Sequence, residues 1–139
     1  MVYSLRNMGR IRELTGNLVE AVAAVEEAKK WARCAEDSLN EARASSQLGR
    51  LYVKLESTEA AIQAYEDAVT VFKEVISNHA TVLPELAEAQ FELSRLFRST
   101  GDLKRALKQR LDAMNAFEYL SRFRDQCIEP YGEFVLLIH

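Results

Sequence analysis

A short pattern comes round three times in this chain, and that recurrence limits the fold before any single residue is weighed. Leu5, Met8 and Gly9 precede a Gly16-Asn17 turn, after which Ala21, Val25 and Ala28 follow at steps of four and three. Leu48, Gly49 and Tyr52 precede Glu56-Ser57, followed by Ala61, Tyr65 and Ala68 at the same steps. Leu93, Ser94 and Phe97 precede Gly101-Asp102, followed by Ala106, Arg110 and Ala113. Steps of three and four hold residues on one helical face, so each copy reads as two helices joined by a turn. Gly9, Gly49 and Ser94 fall where the two helices of a copy cross, and a residue with almost no side chain lets the backbones come close. The alanines supply small partners from the second helix. A helix pair of this kind cannot bury its apolar face alone, so the copies must stack.

The arrangement resembles the tetratricopeptide repeat, whose pattern places Leu-Gly and an aromatic on one helix and Ala, an aromatic and Ala on the next. The resemblance implies an all-α solenoid of three antiparallel helix-turn-helix units in a single domain. The units would span about residues 2–37, 38–80 and 81–128, with a C-terminal segment at 129–139. Such a family implies a binding surface and no chemistry. Gly9 to Gly49 is 40 residues and Gly49 to Ser94 is 45, against about 34 in the usual unit. The excess falls at the end of each second helix and in the connection after it. Arg33, Lys73 and Glu118 stand where the family often has a helix-ending proline. The longer second helices resemble those of extended arrays in cargo adaptors, polarity scaffolds and some bacterial regulators.

A pass along the chain predicts six helices. The first runs from about Tyr3 to Leu14, with Leu5, Met8, Ile11 and Leu14 on its apolar face. Asn17, with Glu20 three places on, reads as the N-cap of a second helix that carries Leu18, Ala21, Val22, Val25, Ala28 and Trp31 inward. Ser38 and Glu41 repeat the signal for a third helix to about Leu55, and a fourth follows from about Thr58 to Ile76. Ser77 to Leu83 is the loosest connection. Pro84 suits the first turn of a fifth helix ending near Thr100, because its missing N–H would be unpaired there. Asp102 caps a sixth that reaches Cys127 before Glu129-Pro130 stops it. The first unit lacks a preceding cap helix, and Phe134 to Ile138 is an unbroken apolar run. Both ends therefore read as an excerpt. The run reads either as a segment folded back on the last pair or as the start of another unit, and it offers a route to self-association.

Composition sets further bounds. The 139 residues are 48% hydrophobic, with two prolines and five glycines, which suits long helices. A formal charge of −3 without a basic block argues against nucleic acid. Neither a bilayer-spanning run nor a signal-peptide profile is present, so the expectation is a cytoplasmic protein without membrane contact. His79 and His139 are too few and too far apart to suggest a metal site. Cys34 and Cys127 form no CxxC pair and read as two buried or half-exposed free thiols. No phosphate-binding, dinucleotide or zinc-protease motif occurs. Glu26-Glu27 and Glu66-Asp67 are explained by a solvated face. The expectation is a non-enzymatic chain without cofactor.

In the repeat family the first helix of each unit lines the concave side of the array. Carried over by position, the resemblance places Tyr3, Arg6, Asn7, Arg10 and Glu13 in the groove, then Arg43, Ser46, Gln47, Arg50 and Lys54, then Glu88, Phe91, Glu92, Arg95 and Arg98. The first two units contribute five basic groups against one acidic, and the third two of each. A groove basic at one end suits an extended or helical segment carrying carboxylates there and apolar anchors further along. A merely solvated charged face is the other reading of the same residues. Chaperone-binding members grip a terminal carboxylate with Lys, Asn and Arg. Here Arg6, Arg10, Gln47, Glu88 and Glu92 occupy the matching places, and the two glutamates would repel that ligand. The expected function is a scaffold or adaptor module for another protein, with Arg6, Asn7, Arg10, Arg43, Gln47, Arg50, Lys54, Phe91, Arg95 and Arg98 as partner contacts. The alternative is a regulatory or sensor domain that couples a peptide or small ligand to an attached effector.

Overall fold

The computed structural model describes residues 2–128. Six α-helices follow one another: α1 (Val2–Leu14), α2 (Leu18–Cys34), α3 (Ser38–Lys54), α4 (Thr58–Val75), α5 (Leu83–Ser99) and α6 (Leu103–Ile128), with one 3-10 turn at Ala80–Val82. Each helix packs on the next in sequence, so the three antiparallel pairs stack as an α-solenoid. Two apolar clusters hold the stack. Val25, Ala44, Leu48, Leu51 and Ala64 join the first pair to the second. Val69, Phe72, Val82, Leu86, Leu93 and Phe97 join the second to the third.

The repeat positions do what their size requires. A Cβ added to Gly9 would come within 2.5 Å of Val25 Cγ2, and one on Gly49 within 2.6 Å of the Tyr65 ring. Ser94 fills the third such place, buried, with its hydroxyl donating to the Phe91 carbonyl at 2.9 Å. The turns inside the units also match. The amides of Asn17, Ser57 and Asp102 donate back to the carbonyls of Arg12, Tyr52 and Phe97 at 2.7, 2.9 and 2.9 Å. This closure needs a left-handed residue just before it. Gly16 and Gly101 supply it at φ 87°, whereas Glu56 adopts φ 60° without a glycine's freedom.

Several sequence expectations shift. On α1 the buried face is Leu5, Gly9 and Glu13, a step of four, and Met8, Ile11 and Leu14 are exposed. The three-residue stripe drifts off the contact line because 3.6 residues make a turn. Trp31 is 47% exposed, and the neighbouring Ala32 is buried in its stead. The third helix is capped by Asp37, one residue earlier than expected, whose carboxylate accepts from the Asn40 amide at 3.2 Å. Asn17 occupies the N-cap position but caps nothing, its amide donating to Thr15 Oγ1 at 3.4 Å. Asp102 does cap, accepting from the Arg105 amide at 3.2 Å. Buried Val82 pins the connection after α4. Cys34 is exposed, and neither buried nor half-exposed. The expectations for Glu129-Pro130, the run Phe134 to Ile138 and the segment 129–139 lie outside the described residues, as does the Cys127 side chain.

Candidate functional site

Stacking three pairs puts α1, α3 and α5 side by side along one face of the array, and a polar groove of about 590 Å³ opens between them. Tyr3, Arg6, Asn7 and Arg10 form its α1 wall, and Glu85, Glu88, Ala89 and Glu92 its α5 wall. Arg43, Ser46, Gln47 and Arg50 of α3 lie between, joined by Tyr65 of α4. Of the expected contacts, Arg6, Asn7, Arg10, Arg43, Gln47 and Arg50 therefore meet in one place. Lys54 sits one turn past Arg50, outside the lining, and is engaged by Glu13. Phe91, Arg95 and Arg98 line a separate cleft of about 450 Å³ between α5 and α6, with Ser94, Leu103, Ala106, Leu107 and Arg110.

The groove's basic charge is smaller than the count of its cations. Glu13, its side chain 3% exposed, accepts from Arg50 Nε and Nη2 at 3.1 and 2.9 Å and from Lys54 Nζ at 2.6 Å. The two-pronged arginine contact is the stronger kind of ion pair. The Arg50 hydrogen bond, joined by Lys54, holds the Glu13 carboxyl down to about 2. Arg43 forks onto Glu85 of the next unit in the same way, with both bonds at 2.9 Å. Three of the five basic groups counted on the first two units are thus already paired to carboxylates across unit boundaries.

Two are not. Arg6 is half-buried and among the described residues bonds only neutral amides, Gln47 Oε1 at 3.3 Å and Asn40 Oδ1 at 3.4 Å, while Gln47 Nε2 donates back to the Arg6 carbonyl at 3.1 Å. Burial, and the nearby charge of Arg43, push its pKa down. Arg10 is exposed and enters no ion pair among the described residues. On the α5 wall Glu92 is held by Arg95 at 3.2 Å, whereas Glu88 forms no ion pair among the described residues. The groove is consequently polarised, cationic along α1 and anionic along α5.

Tyr65, Glu85 and Ala89 belong to the lining and were not anticipated from the sequence. Glu85 lies three residues before Glu88 on one helical face, which is the signal that could have found it. Tyr65 is assigned by its repeat position to the packing between units, and burial does push its phenol up to about 12. Tyr65 nevertheless lines the groove as well. Outside the groove, the acidic pairs expected to be merely solvated also bridge units: Asp67 accepts from Lys29 at 3.1 Å and Glu26 from the Tyr52 hydroxyl at 3.0 Å. Among the described residues no helix is long and apolar enough to cross a membrane.

The family model for the tetratricopeptide repeat matches residues 1–74. Among solved structures, the chain is similar to the TPR domain of FLU from Arabidopsis, at 19% identity over 85% of this chain and 95% of that one, with a TM-score of 0.73. That likeness is one of fold. Curated proteins yield no significant match. With small residues at each helix crossing, three stacked pairs and a family model over more than half of its length, the chain belongs to the tetratricopeptide repeat family, whose repeats generally serve as protein-interaction modules and generally lack catalysis.

Proposed function

We propose that the groove between α1, α3 and α5 binds an extended segment of another protein and orients it by charge, with a carboxylate of the ligand at Arg6 and Arg10 and a basic side chain toward Glu88. The observation that carries this reading is Arg6: a half-buried guanidinium hydrogen-bonded, among the described residues, only to amides, while its neighbours Arg43 and Arg50 are neutralised by fork contacts. A partly desolvated cation that feels Glu85 only at a distance and enters no direct ion pair among the described residues gains more from an arriving carboxylate than a hydrated one does. Arg10, one turn along α1, adds its field over the same ligand, and salt would screen both beyond about 10 Å. Ser46 between the walls offers a polar contact to a peptide backbone. The module would act as an adaptor or scaffold, without catalysis of its own.

The test is selection from a random peptide library displayed against the full chain. Selected peptides should be enriched in Asp and Glu, and their binding should weaken at least tenfold on Arg10→Glu with the melting temperature unchanged. Peptides without acidic enrichment, or bound as well by Arg10→Glu, would contradict the reading.

A further inference from the structure

The last helix presents a second surface. Moving 45 residues on from Ala61 reaches Ala106, and the same shift takes Ile62 to Leu107, Val69 to Met114 and Phe72 to Phe117. On α4 these positions belong to the core shared with α5, and Phe72 is 0% exposed. On α6 their counterparts Leu107, Met114 and Phe117 are 59%, 49% and 43% exposed. The side chains are as large and the register is the same. What α5 covers on α4 stands open on α6 among the described residues.

The third unit also departs from the second in charge. The same shift takes Tyr65 to Arg110 and Val53 to Arg98. Both arginines are exposed, enter no ion pair among the described residues, and line the cleft between α5 and α6 beside Phe91, Leu103 and Leu107. The Phe91 and Phe117 rings, 5.4 Å apart, join this cleft to the apolar stripe. An apolar helix laid over this surface would bury two unpaired cations, which is strongly unfavourable. The occupant must therefore carry acids as well as aliphatic side chains.

We propose that this surface of α5 and α6 binds an amphipathic helix of another protein, its large apolar side chains on Leu107, Met114 and Phe117 and its carboxylates at Arg98 and Arg110. Two nearer occupants fit less well. Among residues 129–139, Glu133 is the acid furthest along the chain. At about 3.4 Å per residue its backbone reaches no more than about 17 Å from Ile128, whereas Arg98 lies beside Leu103, 25 helical residues back and about 37 Å away, more than two side chains can bridge. The α1 helix of a second copy would bring Arg6, Arg10 and Arg12 against a basic cleft, with its one acid, Glu13, already paired.

The probe is a synthetic peptide with the α5 sequence, Leu83–Ser99, carrying Arg95→Glu and Arg98→Glu, titrated against the full chain by fluorescence anisotropy. It should bind, and Arg98→Glu with Arg110→Glu in the chain should weaken it at least tenfold, as should Leu107→Ser. Each of these positions is exposed, so the melting temperature should hold, and Arg10→Glu in the groove should leave the affinity unchanged. Absence of binding, or loss on Arg10→Glu with none on the cleft variants, would overturn the proposal. So would a concentration-dependent dimer abolished by Leu107→Ser, which would assign the surface to a second copy. Binding that arises only once residues 129–139 are removed would assign it to the chain's own end and equally overturn the proposal.

Discussion

Gly49 and Tyr65 form a pair that neither residue explains alone. The ring stands where any Cβ on residue 49 would be, 2.6 Å away. Gly49→Ala gains up to about 1 kcal/mol in helix propensity, yet overpacking costs about 1–3 kcal/mol. The net expectation in urea unfolding is a loss of stability, larger for Gly49→Leu, and an unchanged or raised midpoint would mean the crossing is looser than described. Glu13 is the other decisive residue. Its carboxyl lies well below its ordinary value of 4.5, at about 2, so the folded state favours the charged form. The sign follows: this contribution is complete above about pH 4.5 and fades as pH falls toward 2. Glu13→Gln should cost about 1–3 kcal/mol at pH 7. That gap from the wild type should narrow in denaturant melts taken from pH 5 downward; a gap independent of pH would show that the ion pairs carry none of it.

The helices were largely legible in the sequence, for reasons particular to each. Recurring alanines and the small residues at 9, 49 and 94 fix which faces cross, and the turns at 16–17, 56–57 and 101–102 fix where the two helices of each pair meet. The expected ends of α1, α3, α4, α5 and α6 fall within one residue or so of the observed ones. The α1 face and Trp31 were not legible, because an apolar residue at a plausible step carries no mark of which side its neighbours occupy. The charge state of the groove was hidden for a different reason. Glu13 meets Arg50 across 37 residues and Arg43 meets Glu85 across 42, and local spacing holds no information about such partners. Glu56 shows the repeat frame used predictively: it stands in the left-handed place taken by Gly16 and Gly101. Glu56→Gly should raise stability by up to about 1 kcal/mol, read as a higher melting temperature. A lower one would mean that its turn is held by something other than the backbone bond to Tyr52.

Across the whole molecule, ion pairs cross from unit to unit on both faces of the array. Glu13 with Arg50 and Lys54 joins the first pair to the second, Arg43 with Glu85 the second to the third, and Lys29 with Asp67 the first to the second on the outer side. The basic groups that read from sequence as one ligand surface thus divide into those that hold the units together and those that enter no ion pair among the described residues. The division separates two substitutions of identical chemistry. Arg50→Glu places a second carboxylate against buried Glu13 and should lower the melting temperature, whereas Arg10→Glu removes an exposed, unpaired charge and should not. The most direct test of the account is titration of a groove-selected acidic peptide into the wild type, Arg10→Glu and, as an outer-face control, Lys30→Glu, at low and high salt. Arg10→Glu should weaken binding at least tenfold and flatten its salt dependence, while Lys30→Glu should match the wild type and all three should melt alike. Equal binding by Arg10→Glu and the wild type would contradict it.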